Sequence, residues 1–161
     1  MPFIQLTTLI EAPIERVFDL SRSIDLHKSS MTKYGEKPIS GTISGLINLG
    51  EEVTWKAKHF YKERILKVRI TAMKKPFSFI DEQVQGSFKL MKHEHFFKPC
   101  ENGTIMIDQF YFELYNGLLG KWLNRLYMTR YIKQLLEERN SVIKTVAETN
   151  KWKHFLAGLN Q

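Results

Sequence analysis

Hydrophobic and polar residues alternate through most of the chain up to residue 113 and then recur at helical spacing. Residues 3–11 alternate with Ile4, Leu6, Thr8 and Ile10 on one side, which predicts a first strand. Pro13 suits a first helical position, and Ile14, Val17 and Phe18 give an apolar face over residues 14–21. Ser23 is placed to cap a second short helix over residues 24–30, with Asp25 in its first turn. Residues 32–50 are rich in Gly, Ser and Lys and predict only a short strand around 42–47. Residues 52–61 then alternate clearly. Val53, Trp55, Ala57 and His59 point one way, Thr54, Lys56 and Lys58 the other, as in a strand with one face buried and one wet. Further strands are predicted over 65–73, broken by Pro76, and over 77–85, followed by a Gly86-Ser87 turn. Strands over 88–98 and 104–113 close as a hairpin on Asn102-Gly103.

Residues 116–150 contain no proline, open on Asn116-Gly117 and end on polar Glu148, Thr149 and Asn150, which predicts one long helix. At about 100° per residue its apolar positions form two stripes. Leu119, Trp122, Leu123 and Leu126 share one face; Met128, Tyr131, Ile132, Leu135, Val142, Ile143 and Val146 share another, rotated by more than a quarter turn. The two halves therefore face different neighbours, or the helix bends near Thr129. Arg139 falls inside the second stripe and needs a carboxylate, a bound anion or a path to water. A strand, two short helices, a run of antiparallel strands and a terminal helix make an α+β architecture, taken here as one domain over residues 1–150. In the tail over 151–161, Trp152, Phe155, Leu156 and Leu159 lie on one side, suited to docking, to pairing with another chain or to resting on a membrane surface.

Composition narrows the class. The chain has 161 residues, 43% hydrophobic and 25% charged, enough for a sizeable core in a soluble protein. No apolar run reaches spanning length, and the N-terminus lacks the basic region of a signal peptide, so a cytoplasmic protein is expected. A single cysteine, Cys100, rules out an internal disulfide and a multi-cysteine metal site, and reads as an exposed bystander in the turn over 99–103. The net charge of +7 admits an acidic partner, but the lysines are scattered and no strand carries the aromatic and basic pattern of a nucleic-acid reader. No nucleic-acid partner is expected.

The chemistry-bearing residues concentrate in DEQVQGSFKLMKHEHFF, residues 81–97. Met91, His93, His95 and Phe97 share one strand face, and Thr104, Met106, Asp108, Phe110 and Phe112 share one face of the partner. Both sets are placed inward, so hairpin pairing puts Asp108 beside His93 or His95. His59, with Trp55 at one end, and Arg139 from the helix join them. The strand with Asp81, Glu82 and Gln83 adds one more acid, and Glu82 is counted with the site although its facing turns on a single residue. A carboxylate beside a buried histidine favours imidazolium, against the desolvation that disfavours it. The set reads either as satisfied core histidines that fix strand register or as ligand contacts. A His-x-His pair with a carboxylate also matches a two-histidine, one-carboxylate metal site, but neither a resident metal nor a cofactor is expected. There is no activated serine or cysteine and no phosphate loop, which disfavours covalent and phosphoryl-transfer enzymes.

Four segments carry a resemblance: IEAPIERVFDL at 10–20, GLINLGEEVTWKAKHF at 45–60, DEQVQGSF followed by HEHFF, and RYIKQLLEERN at 130–140. With these the chain resembles the START-like, or SRPBCC, superfamily of polyketide cyclases, coenzyme Q-binding proteins and birch-pollen-allergen-like proteins. More narrowly it is similar to a bacterial subgroup, some members of which are described as cell-division-inhibitor-like. The resemblance implies a helix-grip fold: a curved antiparallel sheet wrapped around the C-terminal helix, with a cavity for an apolar ligand between them. It places Trp55, His59, Asp81, Glu82, Gln83, His93, Glu94, His95 and Asp108 at motif positions, with no catalytic role attached. The expected function is binding, with transport or sequestration, of a small hydrophobic or amphipathic ligand. Phe97, Met106, Phe110, Phe112, Trp122 and Leu126 are expected as walls, with the 119–126 half of the helix closing the mouth. The His, Asp and Arg groups would orient a polar head. The alternative is a cyclase or dehydratase using His93 or His95 as acid or base and Asp108 as orienter. A membrane-surface role rests on the basic surface and the tail, and oligomeric state is left open.

Overall fold

Period-two patterning builds the sheet, and the helical period supplies the element laid across it. The computed structural model describes residues 1–115 and 121–158, residues 121–124 by their backbone alone. Strand β1 (Phe3–Ile10) leads into helices α1 (Ile14–Ser21) and α2 (Ile24–Ser30) and a 3₁₀ turn at Thr32–Tyr34. Strands β2 (Lys37–Gly41), β3 (Glu52–His59), β4 (Lys62–Lys74), β5 (Ser78–Gln85), β6 (Leu90–Cys100) and β7 (Gly103–Glu113) follow, then α3 (Lys121–Glu148) and α4 (Trp152–Leu156). All pairs are antiparallel, in the order β1-β7-β6-β5-β4-β3-β2, so the chain meanders from β2 to β7 and β1 closes onto β7.

The short helices stand where capping chemistry puts them. Ser23 accepts a hydrogen bond from the Leu26 amide at 3.2 Å and starts α2. On α1, Val17, Phe18 and Leu20 are buried, and the helix packs on β6 and β7. The strand expected around 42–47 is absent. β2 lies earlier, and the following segment is bent, held by an isolated bridge between Ser23 and Leu46 and by hydrogen bonds such as that of the Ile24 amide to the Gly45 carbonyl and that of the Thr42 amide to the Glu52 carbonyl. Gly45, with φ of 73°, turns the chain there in a way an extended strand does not allow. Cys100 ends β6 half-buried and not in an exposed turn.

The Asn102-Gly103 turn sets the β6–β7 register in which Cys100 pairs with Gly103 and His95 with Asp108. A Cβ on Gly103, whose φ is 152°, would stand 2.1 Å from the Ile10 carbonyl oxygen, a backbone atom that cannot swing away. Gly103→Ala is therefore expected to cost about 2 kcal/mol of stability, read as a lowered melting temperature. No measurable change would show that β1 does not press on this turn.

Helix α3 divides differently from expectation. Met128, Tyr131, Ile132, Leu135, Leu136 and Arg139 look into a cavity, whereas Ile143, Val146 and Ala147 are buried beyond it, where α3 meets β1 and α1. Leu126 is 51% exposed and closes nothing, because the described part of the first stripe turns to solvent. Asn116-Gly117 and Leu119 lie outside the described residues, as do the side chains of Trp122 and Leu123. Helix α4 docks on α1: the Arg16 guanidinium sits 4.3 Å over the Trp152 ring, and Phe155 and Leu156 pack on the core. Leu159 lies outside the described residues. No described helix is long and apolar enough to cross a membrane.

Candidate functional site

Between the inner sheet face and α3 lies a cavity of about 460 Å³. The alternation of β3 delivers Val53, Trp55, Ala57 and His59 to it; β5 delivers Phe79 and Asp81; β6 delivers Met91, His93 and His95. At one end an ion cluster is built on neighbouring strands. Asp108, fully buried on β7, accepts from His93 Nε2 at 2.9 Å and from Asn140 Nδ2 at 2.7 Å. Arg139 Nη1 stands 3.4 Å from the same carboxylate and donates to Asn140 at 3.1 Å, while Nη2 donates to the Ser21 carbonyl at 3.2 Å. His95 Nε2 meets Asp81 Oδ1 at 2.9 Å. Its Nδ1 is 3.0 Å from Asp108 Oδ1, close enough for ion pairing but without hydrogen-bond alignment, and so lacks a partner. The His95 ring stacks on Phe79 at 4.1 Å between centroids and lies 3.8 Å from the His93 ring.

The electrostatics follow from this packing. Burial alone would raise the Asp108 carboxyl, but the His93 hydrogen bond, the close approach of the His95 ring and the Arg139 charge outweigh it and hold it well below the usual range. Asp81 is lowered too: burial opposes, while the His95 hydrogen bond and the neighbouring histidines and Arg139 prevail. His93 is pushed down to about 4, first by desolvation and then by neighbouring His95. It is therefore neutral near neutral pH, donating from Nε2 to Asp108. Towards the β3–β4 turn, His59 Nδ1 and the Tyr131 hydroxyl are 2.7 Å apart. Burial lowers His59 and raises Tyr131 to about 12, so the hydroxyl keeps its proton in its hydrogen bond with the ring nitrogen. Phe60 packs on Tyr131 with centroids 4.5 Å apart, and Trp55 lies over His27 at 4.3 Å.

No protein-family model matches the chain, and no curated protein matches it. Solved structures do. TTHA0849 from Thermus thermophilus is similar at 18% identity over 91% of this chain and 99% of that one, with a TM-score of 0.66. The ginseng major latex-like protein 151 from Panax ginseng matches at 14% identity over 92% of this chain and 98% of that one, also at 0.66. The di-domain ARO/CYC StfQ from the steffimycin biosynthetic pathway matches at 9% identity and a TM-score of 0.74, over 92% of this chain and 52% of that one. The fold is a START-like helix grip.

In this helix grip the expected site residues separate into groups. Trp55, His59, His93, His95, Phe110 and Arg139 stand on the cavity wall. Asp108 sits behind the histidines and reaches the cavity only through them. Phe97, Met106 and Phe112 face inward as expected but do not line the cavity. Phe97 packs edge-on against Phe18 at 5.4 Å, the Met106 sulfur accepts from Ser21 Oγ at 3.4 Å, and Phe112 meets Phe88 at 5.8 Å. Helix α1 fills the space over Phe97 and Met106. Glu82 is corrected to Asp81: Glu82 stands opposite Arg69 and Lys92 on the outer face, and its neighbour carries the carboxylate into the grip. Leu126 is exposed, and the Trp122 side chain lies outside the described residues. Asn140 was not anticipated, although it follows Leu136 by one helical turn on a buried stripe. Asp81, His93 and His95 have potential ligand atoms within 4.8 Å of one another, the set among the described residues that could hold a metal ion. Both histidine Nε2 atoms there already face carboxylate oxygens.

Proposed function

We propose that the chain binds a small hydrophobic or amphipathic molecule in the cavity between its sheet and α3. One observation carries the reading: a cavity of about 460 Å³ with mainly apolar walls ends on a few convergent polar groups. Binding sites for small organic molecules have that size and that balance, in which apolar area supplies affinity and the polar groups set orientation. The START-like neighbour StfQ, described as an ARO/CYC of a biosynthetic pathway, fits a cavity for a small molecule. A catalytic use of the same cavity, with His93 or His95 as acid or base, is the second reading, favoured by both histidines standing on the wall. Binding is preferred because His93, held at about 4, is a weak base near neutral pH, where general bases work best with a pKa close to ambient.

Titration with the neutral fluorophore N-phenyl-1-naphthylamine tests the reading. The wild-type chain should bind one molecule with enhanced emission. Ala57 lies buried on the wall, and Ala57→Phe would fill the space. It should weaken binding about tenfold or more while leaving the fold intact by circular dichroism. Equal binding by both proteins would place the probe elsewhere and remove the support for this cavity.

A further inference from the structure

We propose that the ligand's polar end is a hydrogen-bond donor, a hydroxyl or a protonated amine, and not an anion. This rests on the binding reading above and names the chemistry its polar end selects. The cavity ends on Asp81, His93 and His95. Asp81 Oδ1 accepts from His95, whereas among the described residues no side-chain donor is paired with Oδ2, and the side chain keeps 17% exposure. His93 donates from Nε2 to Asp108, a carboxylate that only accepts, so the neutral ring keeps its lone pair on Nδ1. Both groups on the wall therefore offer acceptors.

Of the arginines on the cavity wall, Arg139 and Arg22 are engaged, and Arg64 stands away from the polar cluster. Arg139 is turned to Asp108, Asn140 and the Ser21 carbonyl. Arg22, also on the wall, is held by Asp19 at 2.8 Å and by the Ile47 carbonyl at 3.1 Å. Arg64 stands further along β4, beside the Phe60 turn and away from the cluster. A ligand carboxylate would be the third carboxylate beside Asp81 and Asp108 in one buried cluster, at a desolvation cost no free donor there offsets. A hydroxyl or ammonium brings the missing donor to Asp81 and His93. Such matched donor sites reject a ligand that leaves buried acceptors unpaired.

Four naphthalenes of similar bulk test this by calorimetric titration near neutral pH: 2-methylnaphthalene, 2-naphthalenemethanol, 2-naphthylmethylamine and 2-naphthoate. The alcohol and the amine should each bind about tenfold or more tighter than 2-naphthoate, with amine above alcohol marking a cationic head and parity a neutral one. In Asp81→Asn the amine should lose about tenfold while 2-methylnaphthalene is unchanged. If 2-naphthoate binds as tightly as the alcohol and amine, or if the four bind alike, the donor-head inference is overturned and the cavity reading stands. If not even 2-methylnaphthalene binds, the cavity reading falls and this inference with it.

Discussion

Asp108→Ala should lower the free energy of unfolding by about 3–5 kcal/mol, the cost of breaking a buried ion pair by removing one partner. Asp108 is fully buried, and its carboxylate takes hydrogen bonds from His93 on β6 and Asn140 on α3, with Arg139 of α3 alongside. Truncation leaves the Arg139 charge buried with only Asn140 and a carbonyl to face, and it strips the partner from His93. It also unties α3 from the β6–β7 hairpin, so the site and the fold are lost together. Urea denaturation measures the effect. A second change that removes the stranded charge, Asp108→Ala with Arg139→Met, should recover part of the loss, because the two residues act as one unit. Asp81→Asn, which touches only the partly exposed partner of His95, should cost far less. A loss below about 1 kcal/mol in Asp108→Ala would mean that the cluster does not hold sheet and helix together.

Stability should also fall as pH drops from about 6.5 to about 4, by about 3 kcal/mol from His93 alone. The sign follows from proton counting. In the unfolded chain His93 binds a proton at its ordinary value of 6.5, whereas the folded ring resists until about 4. Between those values the unfolded state holds more protons, so acid favours it. The contribution is present above the unfolded value and is lost as pH falls through the folded one. His59, lowered by burial, acts in the same direction. Asp108 and Asp81, both depressed, extend the loss to lower pH, beneath the ordinary carboxylate range. Urea midpoints measured across this window should decline steadily, and His93→Gln, which keeps a donor for Asp108 but does not titrate, should flatten much of the decline. A wild-type profile that is level from pH 6.5 to 4 would contradict the burial of a neutral His93.

Much of this site was legible because strands report their facing. The alternation of residues 52–61 put Trp55 and His59 on the inner side, and the Asn102-Gly103 turn put Asp108 beside His93 or His95; His95 stands opposite it in the register and His93 makes the hydrogen bond. Arg139 in an apolar stripe required a partner, and the partner is that aspartate. What facing does not report is the opposite wall. Phe97 and Met106 share the inner side with the histidines, yet α1 covers them, and α1 reaches there through tertiary packing that no local period encodes. Asp81 and Glu82 are adjacent acids, so a shift of one residue exchanges them; the inward Phe79 two positions before Asp81 settles the matter only once the sheet is formed. Asn140 looked like an ordinary polar helix residue, and its place on the turn after Leu136 was the overlooked sign. The segment around 42–47 had apolar residues for a strand but also Gly45, whose left-handed backbone decided against it.

Native mass spectrometry of the protein isolated gently from its own cells tests most directly whether the cavity is a binding site. A small organic adduct in one-to-one ratio should accompany the wild-type chain and be missing from Ala57→Phe, in which the added ring takes its place. A wild-type chain of bare mass, or an adduct that persists in Ala57→Phe, would contradict the account.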